Sequence, residues 1–176
     1  MLPTLHSDRL TLRPWTPADA EAVYDLYSRW EVMRFLGTNP TVMTEPAQAE
    51  EKIATWSAFP GPLHGVWAIV PTGEDRPVGT ALLKLLPYSG SKAASPDTEV
   101  GWHLHPDAWG RGYATEAGGR LLAHAWSHDL AQVFAVTYPE NTPSQAVCLR
   151  LGMAPLGMTD NYYDISCALF RADRPS

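Results

Sequence analysis

The stretch that decides the fold of this chain reads Trp109-Gly110-Arg111-Gly112-Tyr113-Ala114-Thr115-Glu116. It follows a strand-like run that ends at Leu104 and opens a helix-like run over residues 113–128. The two glycines lack the Cβ atoms that would keep a pyrophosphate away from the backbone, and the first helical turn offers amides with no partner inside the helix. The stretch therefore predicts a site for a phosphorylated cofactor.

The spacing of these glycines excludes two common classes of nucleotide site. The sequence contains no Gly-x-x-x-x-Gly-Lys-Ser/Thr motif, which the P-loop of nucleoside-triphosphate enzymes requires. No third glycine follows Gly110 and Gly112 at the spacing of a Rossmann dinucleotide site. The cofactor is expected to belong to another class.

Composition favours one globular domain over residues 1–176. The chain is 45% hydrophobic and 18% charged, which is enough apolar sequence for a sizeable core. It carries 13 Lys and Arg against 19 Asp and Glu, a net charge of -6, and its basic residues form no cluster. The electrostatic footprint of a nucleic-acid-binding protein is therefore missing, and a cationic small molecule or a peptide amine is the more suitable partner.

The sequence also indicates where the protein resides. No apolar stretch reaches the roughly 20 residues that a membrane span needs, and residues 1–8 lack the basic and apolar regions of a signal peptide. We expect a cytoplasmic protein that does not bind membranes. Cys148 and Cys167 are too few for a disulfide framework or a cysteine metal site, so both are expected to be reduced and buried.

Periodicity predicts an α/β (α+β) domain with a mixed central sheet of about six or seven strands and helices on both faces. A loop rich in Ser, Gly, Ala and Pro, residues 88–97, is expected to be mobile. The predicted strands are residues 9–13, 65–70, 78–86, 98–104, 133–138, 153–156 and 162–170. The predicted helices are one that begins after the N-cap Thr16 and four others at residues 31–36, 46–59, 113–128 and 143–151.

Four segments in this order resemble the GCN5-related N-acetyltransferase (GNAT) family, and within it the ribosomal-protein N-terminal acetyltransferases of the RimJ/RimL type. The likeness covers nearly the whole chain. The segments are Ser7-Asp8-Arg9-Leu10-Thr11-Leu12-Arg13-Pro14-Trp15, Glu99-Val100-Gly101-Trp102-His103-Leu104-His105-Pro106, the stretch 109–116, and Asn141-Thr142-Pro143-Ser144 with Leu149-Arg150-Leu151-Gly152-Met153. The resemblance implies a GNAT fold, acetyl-CoA as the acetyl donor and no metal.

The resemblance also implies which residues hold acetyl-CoA. The backbone of residues 102–104 would pair with the pantetheine arm and the acetyl carbonyl, and the amides of residues 110–115 would hold the pyrophosphate. The family usually has Gln or Arg where this chain has Trp109, so one side-chain contact to phosphate is not expected here. The implied cofactor residues are Trp102, His103, Leu104, Gly110, Arg111, Gly112, Tyr113, Ala114, Thr115, Asn141 and Ser144.

Acetyl transfer to an amine requires a neutral nitrogen, so a base is needed. An α-amino group has a pKa of about 7.7 to 8.0 and a lysine amine about 10.4, which makes a peptide N-terminus the easier acceptor. Glu99 is the candidate base because it resembles the glutamate that many family members use. Its pKa must rise well above the reference value of about 4.3 for that role. Asp160 and Asp164 near the last strand are alternative carboxylates, and Asp164 is a candidate contact for a substrate cation.

The usual proton donor of the family is absent from this chain. Many relatives place a tyrosine seven residues beyond the asparagine, and that position is Cys148 here. A thiol of pKa about 8.5 leaves readily and needs little more than a hydrogen bond. Ser144 is the first candidate for that hydrogen bond and thus the second catalytic candidate. Tyr162 or Tyr163 is the next candidate for the same hydrogen bond.

Other patterns leave alternatives open. Trp30 and Trp56 are candidates for an aromatic wall of the acceptor site, although core packing explains them as well. The pair His124 and His128 lacks the glutamate of a zinc protease and is interpreted as helix surface. The acceptor is a protein N-terminus or a small cationic amine, a non-catalytic acyl-CoA-binding module is the alternative function, and a homodimer is permitted.

Overall fold

The strands of this computed structural model, which describes residues 1–59, 61–91 and 93–175, form one mixed sheet. Over that part of the chain the order of the eight strands is β1-β2-β3-β4-β5-β6-β8-β7. All neighbours are antiparallel except β5 and β6, which run parallel. The strands are β1 (Leu5–His6), β2 (Leu10–Pro14), β3 (Gly65–Pro71), β4 (Gly79–Pro87), β5 (Ala94–Leu104), β6 (Gln132–Thr137), β7 (Ala154–Thr159) and β8 (Cys167–Asp173).

Within the described residues, five α-helices cover the two faces of the sheet, as the sequence predicts. They are α1 (Ala20–Tyr27), α2 (Trp30–Met33), α3 (Ala47–Ser57), α4 (Tyr113–Ser127) and α5 (Thr142–Arg150). Val23 of α1 and Ile53 of α3 belong to the apolar cluster on one face of the sheet, which Leu82 of β4 joins. Leu121 of α4 and Cys148 of α5 belong to the cluster on the other face with Val100 of β5. The predicted mixed α/β fold with helices on both faces is confirmed.

The three largest differences from the predicted elements concern strands. Leu5 and His6 pair with Leu12 and Thr11, which adds an edge strand that was not predicted. β5 begins at Ala94, which pairs with Pro87, so much of the predicted loop 88–97 belongs to a strand; Lys92 lies outside the described residues.

The third difference is at the last strand, which begins at Cys167 and not at residue 162. Tyr163 and Asp164 have φ values of 62° and 54°, a left-handed conformation that a strand does not accommodate.

Several smaller expectations can be compared with the structure directly. Cys148 and Cys167 are both free and buried, as predicted. The surface interpretation of His124 is wrong, because this side chain is buried and its Nε2 lies 3.0 Å from the carbonyl of Pro62. No helix among residues 1–59, 61–91 and 93–175 is long and apolar enough to cross a bilayer. The same residues contain no group of three or more His, Cys, Asp or Glu side chains arranged to hold a metal ion.

Candidate active site

The sheet opens between its two parallel strands. β5 pairs with β4 from Thr98 to Leu104, but it pairs with β6 only where Glu99 faces Phe134. Beyond Glu99, the edge of β5 that faces β6 has no strand beside it in the described structure. Free backbone groups on such an edge can pair with an extended ligand. Because the two strands are parallel, the opening lies at their carboxyl ends, where ligands of α/β sheets bind.

Two connected clefts occupy this opening. The larger cleft, about 470 Å³, extends toward the glycine turn, and the smaller cleft, about 200 Å³, extends toward Glu99. Trp102, His103, Asn141 and Ser144 line both clefts, so these residues mark the place where the two meet. The structure thus brings Glu99 and Ser144 to one small cavity. Of the predicted cofactor residues, Trp102, His103, Leu104, Gly110, Gly112, Tyr113, Ala114, Thr115, Asn141 and Ser144 all line the larger cleft.

The glycine turn before α4 has the conformation of an anion site. Gly110 and Gly112 have φ values of 73° and 80°, the left-handed region that glycine enters without steric cost. The amide of Glu116 donates to the carbonyl of Gly112 (3.0 Å), and the amides of residues 113–115 precede this first helical bond. These amides therefore lie at the positive end of the α4 dipole with no helical partner.

Arg111 and Trp109 stabilise this turn through hydrogen bonds to neighbouring segments, and Trp109 also lines the larger cleft. Arg111 does not line either cleft, and its carbonyl accepts a hydrogen bond from Arg9 Nη1 (3.0 Å). The indole Nε1 of Trp109 donates to the carbonyl of Leu104 (2.9 Å), which ties the turn to the end of β5. Trp109, where the family has a polar side chain, thus has a structural contact of its own.

Glu116 holds the chain segment before β2 against the turn, a contact that the sequence did not predict. Its Oε1 accepts hydrogen bonds from the backbone amide of Arg9 (2.7 Å) and from Ser7 Oγ (2.8 Å). Its Oε2 lies 2.7 Å from both Nε and Nη2 of Arg9. Desolvation by burial is the largest single effect on Glu116 and raises its pKa. The hydrogen bonds from Arg9 and Ser7 and the charge of Arg9 together outweigh it and hold the pKa below its ordinary value. Glu116 thus stays ionised and keeps Arg9 beside the turn.

The larger cleft suits a ligand with several phosphates. Its charged lining residues in the described structure are Glu31, Arg34 and Arg150, so basic groups outnumber acidic ones although the whole chain is acidic. Arg150 Nε donates to Thr115 Oγ1 (3.2 Å), which places this guanidinium beside the first turn of α4. A free strand edge, a turn of free amides and two guanidinium groups together fit coenzyme A.

The start of α5 lies at the junction of the two clefts. Asn141 is the N-cap residue, and its Oδ1 accepts a hydrogen bond from the amide of Ser144 (3.3 Å), while Pro143 occupies the first turn. Cys148, one turn further on, is 0% exposed and lines neither cleft. Burial raises the pKa of its thiol to about 12, so Cys148 stays neutral and does not replace the tyrosine of the family.

Glu99 is a buried carboxylate with two partners. Its side chain is on the same sheet face as that of its cross-strand neighbour Lys84, whose Nζ lies 3.9 Å from Glu99 Oε2. The hydroxyl of Tyr163 donates to the same oxygen. Burial raises the pKa of Glu99, and the Lys84 ammonium and the Tyr163 hydroxyl oppose that rise without cancelling it. The direction of this shift is the one that a general base requires.

His103, which lines both clefts, is held neutral. Its Nδ1 lies 2.9 Å from the hydroxyl of Tyr27, which in turn lies 2.9 Å from Thr80 Oγ1. Burial, with smaller effects from Lys84 and Lys52, lowers the pKa of His103 to about 3. This imidazole therefore does not change charge near neutral pH.

Three of the predicted substrate contacts lie apart from the clefts. Trp30 is 56% exposed, and Trp56 packs in the apolar cluster next to Trp15 and Tyr27. The carboxylate of Asp164 accepts a hydrogen bond from the amide of Gly90 (2.6 Å). None of the three lines either cleft. The aromatic residues that line the smaller cleft are Phe35, Trp102, Tyr138 and Tyr163.

Comparisons with known proteins agree with this geometry. The sequence profile described as the acetyltransferase (GNAT) domain matches residues 9–154. The chain is 29% identical over 164 residues to the uncharacterized N-acetyltransferase YoaA of Bacillus subtilis, covering 92% of this chain and 89% of that protein. It is 31% identical over 171 residues to FsC-acetyl coenzyme A-N(2)-transacetylase of Aspergillus fumigatus, covering 92% and 69%.

A solved structure shares the fold. The ribosomal L7/L12 alpha-N-protein acetyltransferase RimL in complex with coenzyme A superposes with a TM-score of 0.75 at 15% identity, over 97% of this chain and 98% of that one. The profile match extends from the end of the β1–β2 turn to the start of β7, and it includes the glycine turn and the larger cleft. It also includes the lining of the smaller cleft apart from Tyr163, Ile165 and Cys167. The chain therefore belongs to the GNAT family and is an acetyl-CoA-dependent N-acetyltransferase.

Proposed function

We propose that this enzyme transfers the acetyl group of acetyl-CoA to a primary amine by direct attack, with Glu99 accepting the proton of the amine. The observation that carries the proposal is the position of Glu99 at the point where the sheet opens. Its carboxyl lies in the smaller cleft, which meets the coenzyme-sized cleft at Trp102, His103, Asn141 and Ser144. An amine in the smaller cleft would reach a base and a thioester at once.

Acetyl-CoA is placed by the larger cleft in this proposal. The amides of residues 110–115 and the guanidinium of Arg150 would hold the phosphates, and the free edge of residues 102–104 would pair with the pantetheine arm. The thioester supplies an electrophilic carbonyl and a thiolate leaving group. A backbone amide of this edge would polarise the carbonyl, and Ser144 would offer a hydrogen bond to the sulfur.

The charges of the smaller cleft favour an acceptor with a single amine. Glu99 is the one carboxylate that lines this cleft within the described residues, and Lys84 lies beside it. The additional charges of a polyamine or an aminoglycoside would lie near the Lys84 ammonium without a counterion. An α-amine costs about 1 kcal/mol to deprotonate at neutral pH, against roughly 4 kcal/mol for a lysine-like amine. We therefore propose a protein or peptide N-terminus, the acceptor of the ribosomal-protein subgroup, and keep a small cationic amine as the alternative.

Release of free thiol from acetyl-CoA tests the proposal. The panel would contain short peptides with a free N-terminus, the same peptides blocked by N-acetylation, spermidine and an aminoglycoside. Thiol release that requires the free N-terminus, together with an acetylated peptide in the mass spectrum, supports the proposal. Tight coenzyme A binding with no thiol release from any amine would instead favour a non-catalytic acyl-CoA-binding module. Preferred use of spermidine would overturn the choice of acceptor and leave the transferase activity intact.

A further inference from the structure

Tyr163 reaches the candidate base from a distant part of the chain. It lies in the turn between β7 and β8, and its hydroxyl donates to Glu99 Oε2 across 64 positions of sequence. Lys84 Nζ lies 5.0 Å from the centre of the Tyr163 ring, so the ring and the carboxylate share one cation. The phenol, the carboxylate and Ser144 all line the smaller cleft.

The backbone of this turn is held in a costly conformation. Tyr163 and Asp164 have φ values of 62° and 54°, which costs a residue with a Cβ atom about 1–2 kcal/mol. The surrounding loops maintain it, because Asp164 Oδ1 accepts from the amide of Gly90 (2.6 Å) and the Asp164 amide donates to Ser89 Oγ (3.0 Å). Thr38 Oγ1 donates to the carbonyl of Tyr163 (2.8 Å). Strain maintained by its surroundings in this way is typical of functional sites.

The other hydroxyl groups of the smaller cleft are less suited to exchange a proton with Glu99. The hydroxyl of Tyr138 donates to the carbonyl of Gly37 (2.7 Å), and Thr137 Oγ1 donates to the carbonyl of Tyr138 (3.2 Å). In the described structure Ser144 makes no hydrogen bond to Glu99, whereas the hydroxyl of Tyr163 donates one to it. Burial and the neighbouring carboxylate both raise the pKa of Tyr163, so the phenol keeps its proton at neutral pH.

We propose that Glu99 and Tyr163 act as a proton-transfer pair that carries the acceptor's proton to the departing sulfur. This inference rests on the proposed function. The inference assigns the role of general acid to Tyr163. Cys148 does not fill that role, because it is buried and lines neither cleft. The pair would give one cleft both the base and the acid of the reaction.

The proton balance closes as follows. The lone pair of a neutral amine forms the C–N bond with the acetyl carbonyl carbon, and one N–H proton passes to Glu99. When the C–S bond breaks, its electron pair stays on sulfur, and the sulfur takes the phenolic proton of Tyr163. In the same step the proton on Glu99 passes to the Tyr163 oxygen along their hydrogen bond. Both side chains end as they began, and one proton has moved from nitrogen to sulfur. The net transfer of a proton from Glu99 to sulfur is favourable as long as the raised pKa of Glu99 stays below that of a thiol, about 8.5.

The test compares Tyr163→Phe with Tyr162→Phe. The hydroxyl of Tyr162 donates to Asp97 (2.8 Å) and Tyr162 lines neither cleft, so this neighbour is a matched control for loss of a buried phenol. Thiol release at saturating acetyl-CoA would be followed in mixtures of H₂O and D₂O and across pH. For Tyr163→Phe we expect a kcat lowered about 100-fold, a typical acid–base contribution. We also expect unchanged coenzyme A affinity, and an acidic limb displaced to higher pH because the hydrogen bond that stabilises the carboxylate is gone.

The dependence of rate on deuterium fraction separates proton transfer from positioning. A pair that moves two protons in one step gives a curved dependence in the wild type and a linear one in Tyr163→Phe. A variant that retains more than half of the wild-type kcat, or one that is slow but keeps the curved dependence, would overturn the proton-transfer role. Failure of the proposed function has a different signature, since the wild-type enzyme would then release no thiol with any amine.

Discussion

Replacing Gly112 by alanine tests whether the left-handed turn before α4 holds the phosphates of coenzyme A. Gly112 has a φ of 80°, a conformation that costs a residue with a Cβ atom about 1–2 kcal/mol. A Cβ atom there would lie 3.3 Å from Arg9 Nη2, which Glu116 holds in place at 2.7 Å. We expect the free energy of unfolding to fall by about 1–2 kcal/mol. For a domain of this size the melting temperature should fall by roughly 2–8 °C.

The same change should weaken coenzyme A binding by more than strain alone explains. If the turn shifts so that one amide no longer reaches a phosphate oxygen, a charge-assisted hydrogen bond worth about 1.5–3 kcal/mol is lost. That loss corresponds to a roughly 10- to 150-fold increase in Kd. Titration calorimetry with coenzyme A measures Kd directly, and thermal unfolding without ligand measures the stability change. Gly112→Asp should weaken binding further because it adds a negative charge beside the phosphates.

Gly73→Ala is the matched control. Gly73 has a φ of 85° in the turn between β3 and β4, and a Cβ atom there would meet nothing within 4 Å. It lines neither cleft, so it carries a comparable conformational cost away from the ligand. We expect a similar loss of stability and an unchanged Kd. If Gly112→Ala and Gly73→Ala both bound coenzyme A within twofold of the wild type, the phosphates would lie elsewhere and the assignment of the turn would be wrong.

Three other substitutions test the base, the acid position and the support of the turn. Glu99→Gln should lower kcat/KM about 100-fold and remove the acidic limb of the pH profile, because protonation through the raised pKa of Glu99 abolishes the base; an unchanged limb would exclude that role. Cys148→Tyr, which restores the tyrosine of the family, should lower the free energy of unfolding by about 1–3 kcal/mol without a gain in kcat, since the site is fully buried; a faster enzyme with an unchanged melting temperature would contradict this. Glu116→Ala should raise the Kd of coenzyme A several-fold by calorimetry because Arg9 loses its partner, and an unaltered Kd would show that the turn needs no such support.

Local signals in the sequence are sufficient to predict the two helices whose first turns line the larger cleft. The two glycines, the following run of helix formers and the asparagine before Pro143 act over three or four residues, so their physical consequences do not depend on distant parts of the chain. α4 begins at Tyr113 as predicted, and α5 begins at Thr142, one residue before the predicted start, with Asn141 as its N-cap. Glu99 was also identified correctly as a residue of the strand before the turn, although its burial could not be known.

Contacts between distant segments were beyond sequence reasoning. The residues of the Arg9–Glu116 pair stand 107 positions apart, and a pattern within either segment gives no sign of the other. The start of β5 was misplaced because Ala94 and its neighbours have turn-like composition, and pairing with β4 makes them a strand. Trp30 and Trp56 show a further limit, because an aromatic residue on a helix fits a binding groove and a core equally well. For Trp56, the packing of its ring against Trp15 shows that it belongs to the core.

The position of Glu99 connects the fold to the chemistry. It is the residue at which β5 and β6 are paired, and the strands separate directly beyond it. A thioester arm lying along the free edge of β5 would therefore end close to the last paired residue, and the side chain there is the buried carboxylate. The same pairing directs the Glu99 side chain to the sheet face that also carries Lys84, where the turn between β7 and β8 brings Tyr163 to it. A shift of β5 by one position would turn the carboxyl to the opposite face, toward α4, and separate it from both partners. The strand register, more than any single motif, thus determines where the Glu99 carboxyl lies.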